Sequence, residues 1–218
     1  MNTMDKKHEW RKHEKTLYVP KEVPALINVL EYKYITIKGH GSPEEECFSH
    51  CIAALYPLAY TIKMNLKKTL SKSSRYQDYT VYPLEGFWDI NEAAKENFTG
   101  EVKKEDFVYT LMLRQPSFIT KEYYSEMKEV LKEKLSKKRE STDFVEKIKF
   151  EEISEGKCVQ MLHVGKFADE DKTFKIMEDF TSDNGFMRTS KAHKEIYLSD
   201  FRKVPEEKLR TTLRFKVN

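Results

Sequence analysis

The segment His193-Lys194-Glu195-Ile196-Tyr197 sets an acid between an imidazole and a phenol. Side chains alternate in an extended chain, so His193, Glu195 and Tyr197 share one face and Ile196 and Leu198 the other. The apolar face is expected to meet helices. The acid face, if it meets a counterpart module, holds Glu195 partly out of water. A carboxylate in that position can act as a general base, a general acid or the counter-charge of a cationic ligand. An ordinary solvated strand acid is the plain alternative.

Glu85 repeats the theme. It is followed by Gly86-Phe87-Trp88, so a second acid stands beside a glycine bend and two aromatics. Over Tyr79 to Phe87, alternation puts Tyr79, Val81 and Glu85 on one face and Tyr82 and Leu84 on the other. Such a segment can line a pocket mouth, or Glu85 can cap a turn while Trp88 joins the core. Aromatic side chains are plentiful, with 12 Tyr, 13 Phe and 2 Trp, and the candidates for walls are Tyr79, Phe87, Trp88, Tyr109, Phe118, Tyr123, Phe167 and Tyr197. Aromatic walls hold flat rings or cations with little entropy lost, although each ring taken singly is equally suited to a core.

Cys47, His50 and Cys51 fall at helical spacing and could bring three ligands to one face. Cys51, however, lies on an apolar stripe with Phe48 and Leu55, and Cys158 is far along the chain, so no metal is expected. There is no P-loop, GxGxxG, GxSxG or HExxH. No cofactor is called for.

The elements that must position these residues follow from periodicity. Ala25 to Lys38 is a predicted strand. Gly39-His40-Gly41-Ser42-Pro43 is a turn, with Ser42 as a cap and Glu44, Glu45 and Glu46 suited to the first helical turn. Phe48, Cys51, Ile52, Leu55, Leu58, Ala59 and Ile62 recur at helical spacing, with Pro57 expected to kink the helix, and a loop is expected over Ser71–Ser74. Strands are predicted over Tyr79 to Phe87 and Asp106 to Arg114. After a charged helix from Lys121 to Arg139, capped by Thr120, comes an extra strand at Lys147 to Ile153. The order then returns: a strand from Lys157 to Val164, a helix from Glu170 to Phe180, and strands over Ala192 to Leu198 and Leu209 to Val217. Two βαββ units of similar length suggest an internal repeat.

Composition sets the outer bounds. The chain has 218 residues and a net charge of +3, from 39 Lys+Arg against 36 Asp+Glu. That balance gives no support to direct nucleic-acid binding. Mean hydropathy is −0.71, and no apolar run approaches the roughly 18 residues of a membrane span. An odd count of 3 cysteines and the absence of an apolar leader in MNTMDKKHEW point to a reducing, cytoplasmic setting. Residues 1–23 are polar and read as an arm, too short for a helix-turn-helix domain.

Taken together, YVPKEVPALINV, GHGSPE, AALYPLAYTIK, YTVYPLEGFW, LMLRQPSFIT, HVGKF and AHKEIYLSDFRKVPEEKLRTTLR resemble the GyrI-like small-molecule-binding proteins over nearly the whole chain. Lys194 stands where a second His is common in that family, and GHGSPE replaces a more usual acid-Pro-Asn turn. The resemblance implies an α+β fold of two pseudo-symmetric βαββ modules with a ligand cleft between them. The arm would cover 1–23 and the GyrI-like domain 24–218, with a first module at about 24–118, a connecting helix at about 120–140 and a second module at about 145–218.

The arm and the PLEGFW motif make the chain similar to stand-alone members that hydrolyse the cyclopropane of yatakemycin- and duocarmycin-type DNA-alkylating compounds. That resemblance implies Glu195, Tyr197 and Glu85 as catalytic groups. It implies Trp88, Tyr79, Phe87, Tyr109, Phe167 and His193 around a planar aromatic ligand. No metal or organic cofactor is implied. The competing readings are a non-catalytic protein that sequesters planar or cationic compounds, the effector half of a regulator, and a protein-interaction role such as gyrase inhibition.

Overall fold

The computed structural model describes residues 7–70, 77–97 and 102–218; the loop expected over Ser71–Ser74 lies outside them. Two short helical turns, α1 (Trp10–His13) and α2 (Lys15–Tyr18), precede β1 (Ala25–His40) and the long helix α3 (Glu46–Leu70). Next come β2 (Leu84–Ile90), the short α4 (Glu92–Glu96), β3 (Phe107–Gln115), α5 (Lys121–Lys137) and α6 (Asp143–Lys147). The chain closes with β4 (Lys149–Val164), α7 (Glu170–Asp183), β5 (His193–Tyr197) and β6 (Arg210–Lys216). Among the described residues no helix is long and apolar enough to cross a membrane.

All strand pairs are antiparallel, and the strands close into a barrel in the order β1-β3-β2-β5-β6-β4. Each βαββ unit thus contributes three neighbouring strands, and the units meet along two seams, β2–β5 and β1–β4. This is the pseudo-symmetric α+β arrangement expected from the repeat. The extra strand and the one after it are continuous: β4 pairs with β1 in one register from Lys149 to Gln160. The strand expected from Tyr79 starts only at Leu84, because Pro83 has no N–H to give a ladder; Tyr79 instead forms an isolated bridge with His8.

Local signals explain the helix starts. Thr120 accepts the Tyr123 N–H (3.2 Å) and caps α5. Ser42 accepts the Glu44 N–H (3.2 Å) while its own N–H donates to Glu45 (2.8 Å), so it organises the turn ahead of α3 and does not cap its first residue. Pro57 lies inside α3, which continues beyond it.

Two layers of apolar packing lie outside the barrel. Ile35, Ile37, Leu111 and Leu113 meet Leu55, Leu58 and Ile62 of α3, with Met127 and Leu131 of α5 behind them. Val159, Met161, Leu213 and Phe215 meet Met177 and Phe174 of α7. The inside is charged. Lys194 Nζ donates to Glu85 Oε2 (2.9 Å) and Glu155 Oε1 (2.7 Å), and Arg214 reaches the same Glu155 oxygen at 3.2 Å. All four side chains are buried. Burial alone would raise the Glu155 carboxyl; the Lys194 and Arg214 cations outweigh it and hold it at about 2.

The arm seals this interior. Arg214 Nη2 donates to the Leu17 carbonyl (2.6 Å), Gln160 Nε2 to Thr16 (2.5 Å) and Thr212 to Tyr18 (2.9 Å). Trp10, Tyr18 and Tyr82 then cover Leu162, Ile196 and Leu198. Backbone acceptors of the arm therefore complete the hydrogen bonding of buried donors that would otherwise be left unmet.

Replacing Lys194 by Met leaves Glu85 and Glu155 facing each other inside the barrel, at an expected cost of about 3–5 kcal/mol. Urea melts at pH 7 measure it, and a midpoint equal to wild type overturns the account. The Glu155 carboxyl lies below its ordinary 4.5. Its stabilising contribution is therefore complete above that value and is lost as pH falls toward about 2. Melts across that window read the loss.

Candidate functional site

The helix α3 rests on β1 and β3, and α7 on β4, so the outward face of the β2–β5 seam lies between the two helices. Register fixes what that face carries. Gly86 pairs with Glu195 and Trp88 with His193, which puts Glu195, His193, Tyr197 and Trp88 on one side. Trp88 Nε1 donates to the Tyr197 hydroxyl at 2.9 Å. Burial together with the Glu195 charge raises that phenol well above its usual range. His193 Nε2 stands 3.1 Å from Glu195 Oε1, and its ring meets Phe174 edge-on at 4.7 Å. The Glu195 side chain keeps 12% exposure, so the acid reaches solvent through a narrow opening.

The wall beneath is aromatic. Trp88 lies 5.1 Å from Tyr109 and 5.7 Å from Phe48. A Cβ on Gly39 would fall 2.4 Å from the Tyr109 ring, so only glycine leaves that ring its place. Gly86 does the same for the site itself: a Cβ there would lie 2.8 Å from Trp88 Nε1 and 3.0 Å from the Tyr197 hydroxyl. At the rim, Phe167 (39% exposed) sets its edge to Tyr197 at 6.1 Å, with Phe201 beyond it at 6.4 Å.

A second acid joins Glu195 from the opposite wall. Glu170, the first residue of α7, is 7% exposed, and its Oε1 finds no hydrogen-bond partner among the described residues. Burial raises its carboxyl well above the ordinary carboxylate range, and the Glu195 and Asp171 charges raise it further. A carboxyl raised in this way suits a general acid.

The profile of the GyrI-like small molecule binding domain matches residues 24–218. The chain belongs to the GyrI-like family. Three solved structures from Listeria innocua are similar to it over almost their whole length. One, described as a hydrolase encoded by lin2189, is 37% identical, with a TM-score of 0.82 over 98% of this chain and 100% of that one. A second, described as a hydrolase, is 35% identical, with a TM-score of 0.82 over 97% and 100%. An uncharacterized conserved protein is 36% identical, with a TM-score of 0.83 over 97% and 100%. No curated protein matches the chain.

In this GyrI-like barrel the expected site residues divide between two faces. Glu195, Tyr197, His193, Trp88, Tyr109 and Phe167 gather outside, on or near the β2–β5 seam. Glu85 does not join them: it pairs with Lys194 inside. Phe87, opposite Lys194 in the ladder, is also on the inward face. Tyr79 lies on the arm side, lining a separate cavity of about 480 Å³ with Tyr32, Tyr82, Arg114 and Phe118. The apolar face of β5 meets the short helical turns of the arm, and it is the acid face that lies toward α7. Ile196 and Leu198 look inward to Trp10 and Tyr18, because the arm supplies an apolar cover inside the barrel. His50 is tilted against the Phe144 ring (5.2 Å) and Cys51 is buried in the core; among the described residues no His, Cys, Asp and Glu cluster could hold a metal ion.

Glu170 is the residue the sequence reading missed. An acid in a first helical turn is ordinarily taken as a partner of the helix dipole. The available signal was its place in the repeat, just after HVGKF, where the second module's helix begins beside the strand end.

Gly86→Ala is expected to part Trp88 from Tyr197 and to cost about 1–3 kcal/mol. Tryptophan emission in a Trp10→Phe background, where Trp88 alone reports, should shift with the substitution. An unchanged spectrum and melting temperature contradict the close packing described here.

Proposed function

We propose that this chain is a hydrolase that opens the spiro-cyclopropane of yatakemycin- and duocarmycin-type DNA-alkylating compounds by adding water. The observation that carries the reading is Glu195, still partly open to solvent between His193 and Tyr197, with the Glu170 carboxyl raised by burial and by the Glu195 charge and the exposed Phe167 ring at the rim. The similarity to Listeria proteins described as hydrolases supports catalysis in such a cleft.

The chemistry fits these groups. The cyclopropane is conjugated to a dienone and is electrophilic at its methylene carbon. Water's oxygen forms a bond to that carbon, and the ring bond's electron pair passes through the dienone to its oxygen, which becomes a phenol. Glu195 takes the proton that water loses. Glu170, whose carboxyl is raised by burial and by the Glu195 and Asp171 charges, gives its proton to the developing phenolate. The net change is addition of one water, and a proton returned from Glu195 to Glu170 resets the pair. Tyr197, fixed by Trp88, orients Glu195, and His193 supports it from the other side. The exposed Phe167 packs on the flat polycycle, while the buried Trp88 and Tyr109 back the site from beneath.

The same aromatic cleft with Glu195 also suits a cationic ring held without chemistry. A liquid-chromatography mass-spectrometry time course with substoichiometric protein separates the two. Loss of parent with gain of one water over many equivalents supports the hydrolase; a stoichiometric complex with intact parent supports sequestration. In the first case Glu195→Gln should lower turnover by about 10²–10⁴-fold. Glu170→Gln keeps a hydrogen-bond donor but cannot give up a proton, and should also be slow. Because the acid must be protonated, the wild-type rate is expected to fall as pH rises through the raised Glu170 value. A rate that climbs steadily with pH removes Glu170 from that role.

A further inference from the structure

We infer that His163 is a positioning residue that sets the Glu170 carboxyl and the Phe167 ring in the cleft. His163 is buried near the end of β4, on the face toward α7. Its ring spans both ends of one short segment. Nε2 lies 2.9 Å from the Lys166 carbonyl oxygen, and Nδ1 lies 2.8 Å from Thr173 Oγ1. A carbonyl only accepts, so Nε2 carries the proton. In the neutral ring Nδ1 then accepts from the Thr173 hydroxyl, and one tautomer satisfies both contacts.

Between those two points stand Phe167 and Glu170. The segment leaves β4 through Gly165, at φ +136°, whose N–H donates to the Leu209 carbonyl at 3.0 Å. The Lys166 carbonyl that His163 holds also accepts the Asp169 N–H at 3.0 Å and closes the turn that presents Phe167. Thr173 lies one turn beyond Glu170 on α7, so holding Thr173 holds the rotation of the first turn. At the start of α7, Asp169 in the cap position makes no side-chain capping bond and is instead paired with Lys172 at 2.6 Å on the exposed side. Glu170 Oε1 has no partner of its own among the described residues. Its place is therefore set through the backbone, and the side chain that fixes that backbone is His163. This role concerns the geometry of Glu170, and only its effect on turnover rests on the proposed reaction.

The test is a carboxyl ¹³C NMR titration of wild type, His163→Leu, His163→Gln and Thr173→Val. Loosening the segment admits water to Glu170, so in His163→Leu its titration midpoint should fall by about 1 pH unit or more. His163→Gln, which can still donate to the Lys166 carbonyl, should recover most of that. Thr173→Val should give a partial fall. Glu155, on the inward face of the same strand and held at about 2, is the internal reference; it should stay ionised down to about pH 4 in every variant. Turnover of a duocarmycin-type substrate should drop at least about tenfold in kcat for His163→Leu, with a smaller change in KM.

An unmoved Glu170 midpoint in His163→Leu, with Glu155 intact, overturns the proposal. Should that variant not fold, unmoved midpoints in both Thr173→Val and His163→Gln overturn it equally. If wild type turns over nothing, the hydrolase reading fails while the titration still decides the role of His163. A shifted midpoint with undiminished kcat upholds the positioning and removes Glu170 from the chemistry.

Discussion

A lysine ammonium removed from water has to be surrounded by anions and acceptors, and in this protein one such group sits inside a six-stranded barrel. Burial disfavours the Lys194 charge, but Glu85 and Glu155 overcome that penalty and raise its affinity for the proton. Arg214 shares Glu155 and turns its remaining donors to Gln160 and the Leu17 carbonyl. The cluster draws on β2, β4, β5 and β6. It therefore fixes all four strands against one another, and through Leu17 it fixes the arm. A purely apolar interior could be filled in several ways; a buried charge cluster with few acceptors tolerates far fewer.

Strand alternation carries that constraint to the other side of the sheet. With Lys194 and Ile196 pointing inward, His193, Glu195 and Tyr197 must point outward. With Glu85 inward, Gly86 and Trp88 must be outward, and the ladder sets Gly86 against Glu195. A one-residue slip in β5 would put Glu195 inside and leave Lys194 outside. The inner ion cluster is thus what holds the outer site in register. The lack of a side chain at Gly86 lets Trp88 and Tyr197 close over the seam.

The sequence made much of this legible. The βαββ order, the Thr120 cap and the shared face of His193, Glu195 and Tyr197 all follow from local pattern and are present in the structure. Period-2 alternation, however, says which residues share a face and not what covers it. That is why the arm's cover over the apolar face of β5, and α7 beside its acid face, could not be read from it. A short polar arm carries no pattern to signal that its carbonyls satisfy Arg214 and Gln160. Glu85 misled for a related reason. Its neighbours Gly86 and Trp88 do line the cleft, but as the residue between strand positions it faces away from them, toward a lysine 109 positions later in the chain. Such a pairing is set by tertiary packing alone. Glu170 was hidden by its own ordinariness, since acids are common at helix starts for electrostatic reasons.

The two faces of the β2–β5 seam differ in charge balance, and that difference underlies the proposed chemistry. Inside, two carboxylates meet two cations, and Lys194 and Arg214 together hold the Glu155 carboxyl well below its ordinary range. Outside, Glu170 is acted on by burial and by the anions Glu195 and Asp171, with no cation to offset them. A buried carboxyl beside other carboxylates pays for its charge, and that raises its affinity for the proton. The same strand pair therefore carries an ion-paired structural face and, one residue apart, an acid face that meets Glu170 of α7. Exchanging the inward and outward acids would destroy both properties: Glu195 opposite Lys194 would lose its coupling to Glu170, and Glu85 in the cleft would leave Lys194 short of an anion. The side each acid faces, more than the presence of two acids in the sequence, is what allows one fold to combine a rigid frame with a reactive cleft.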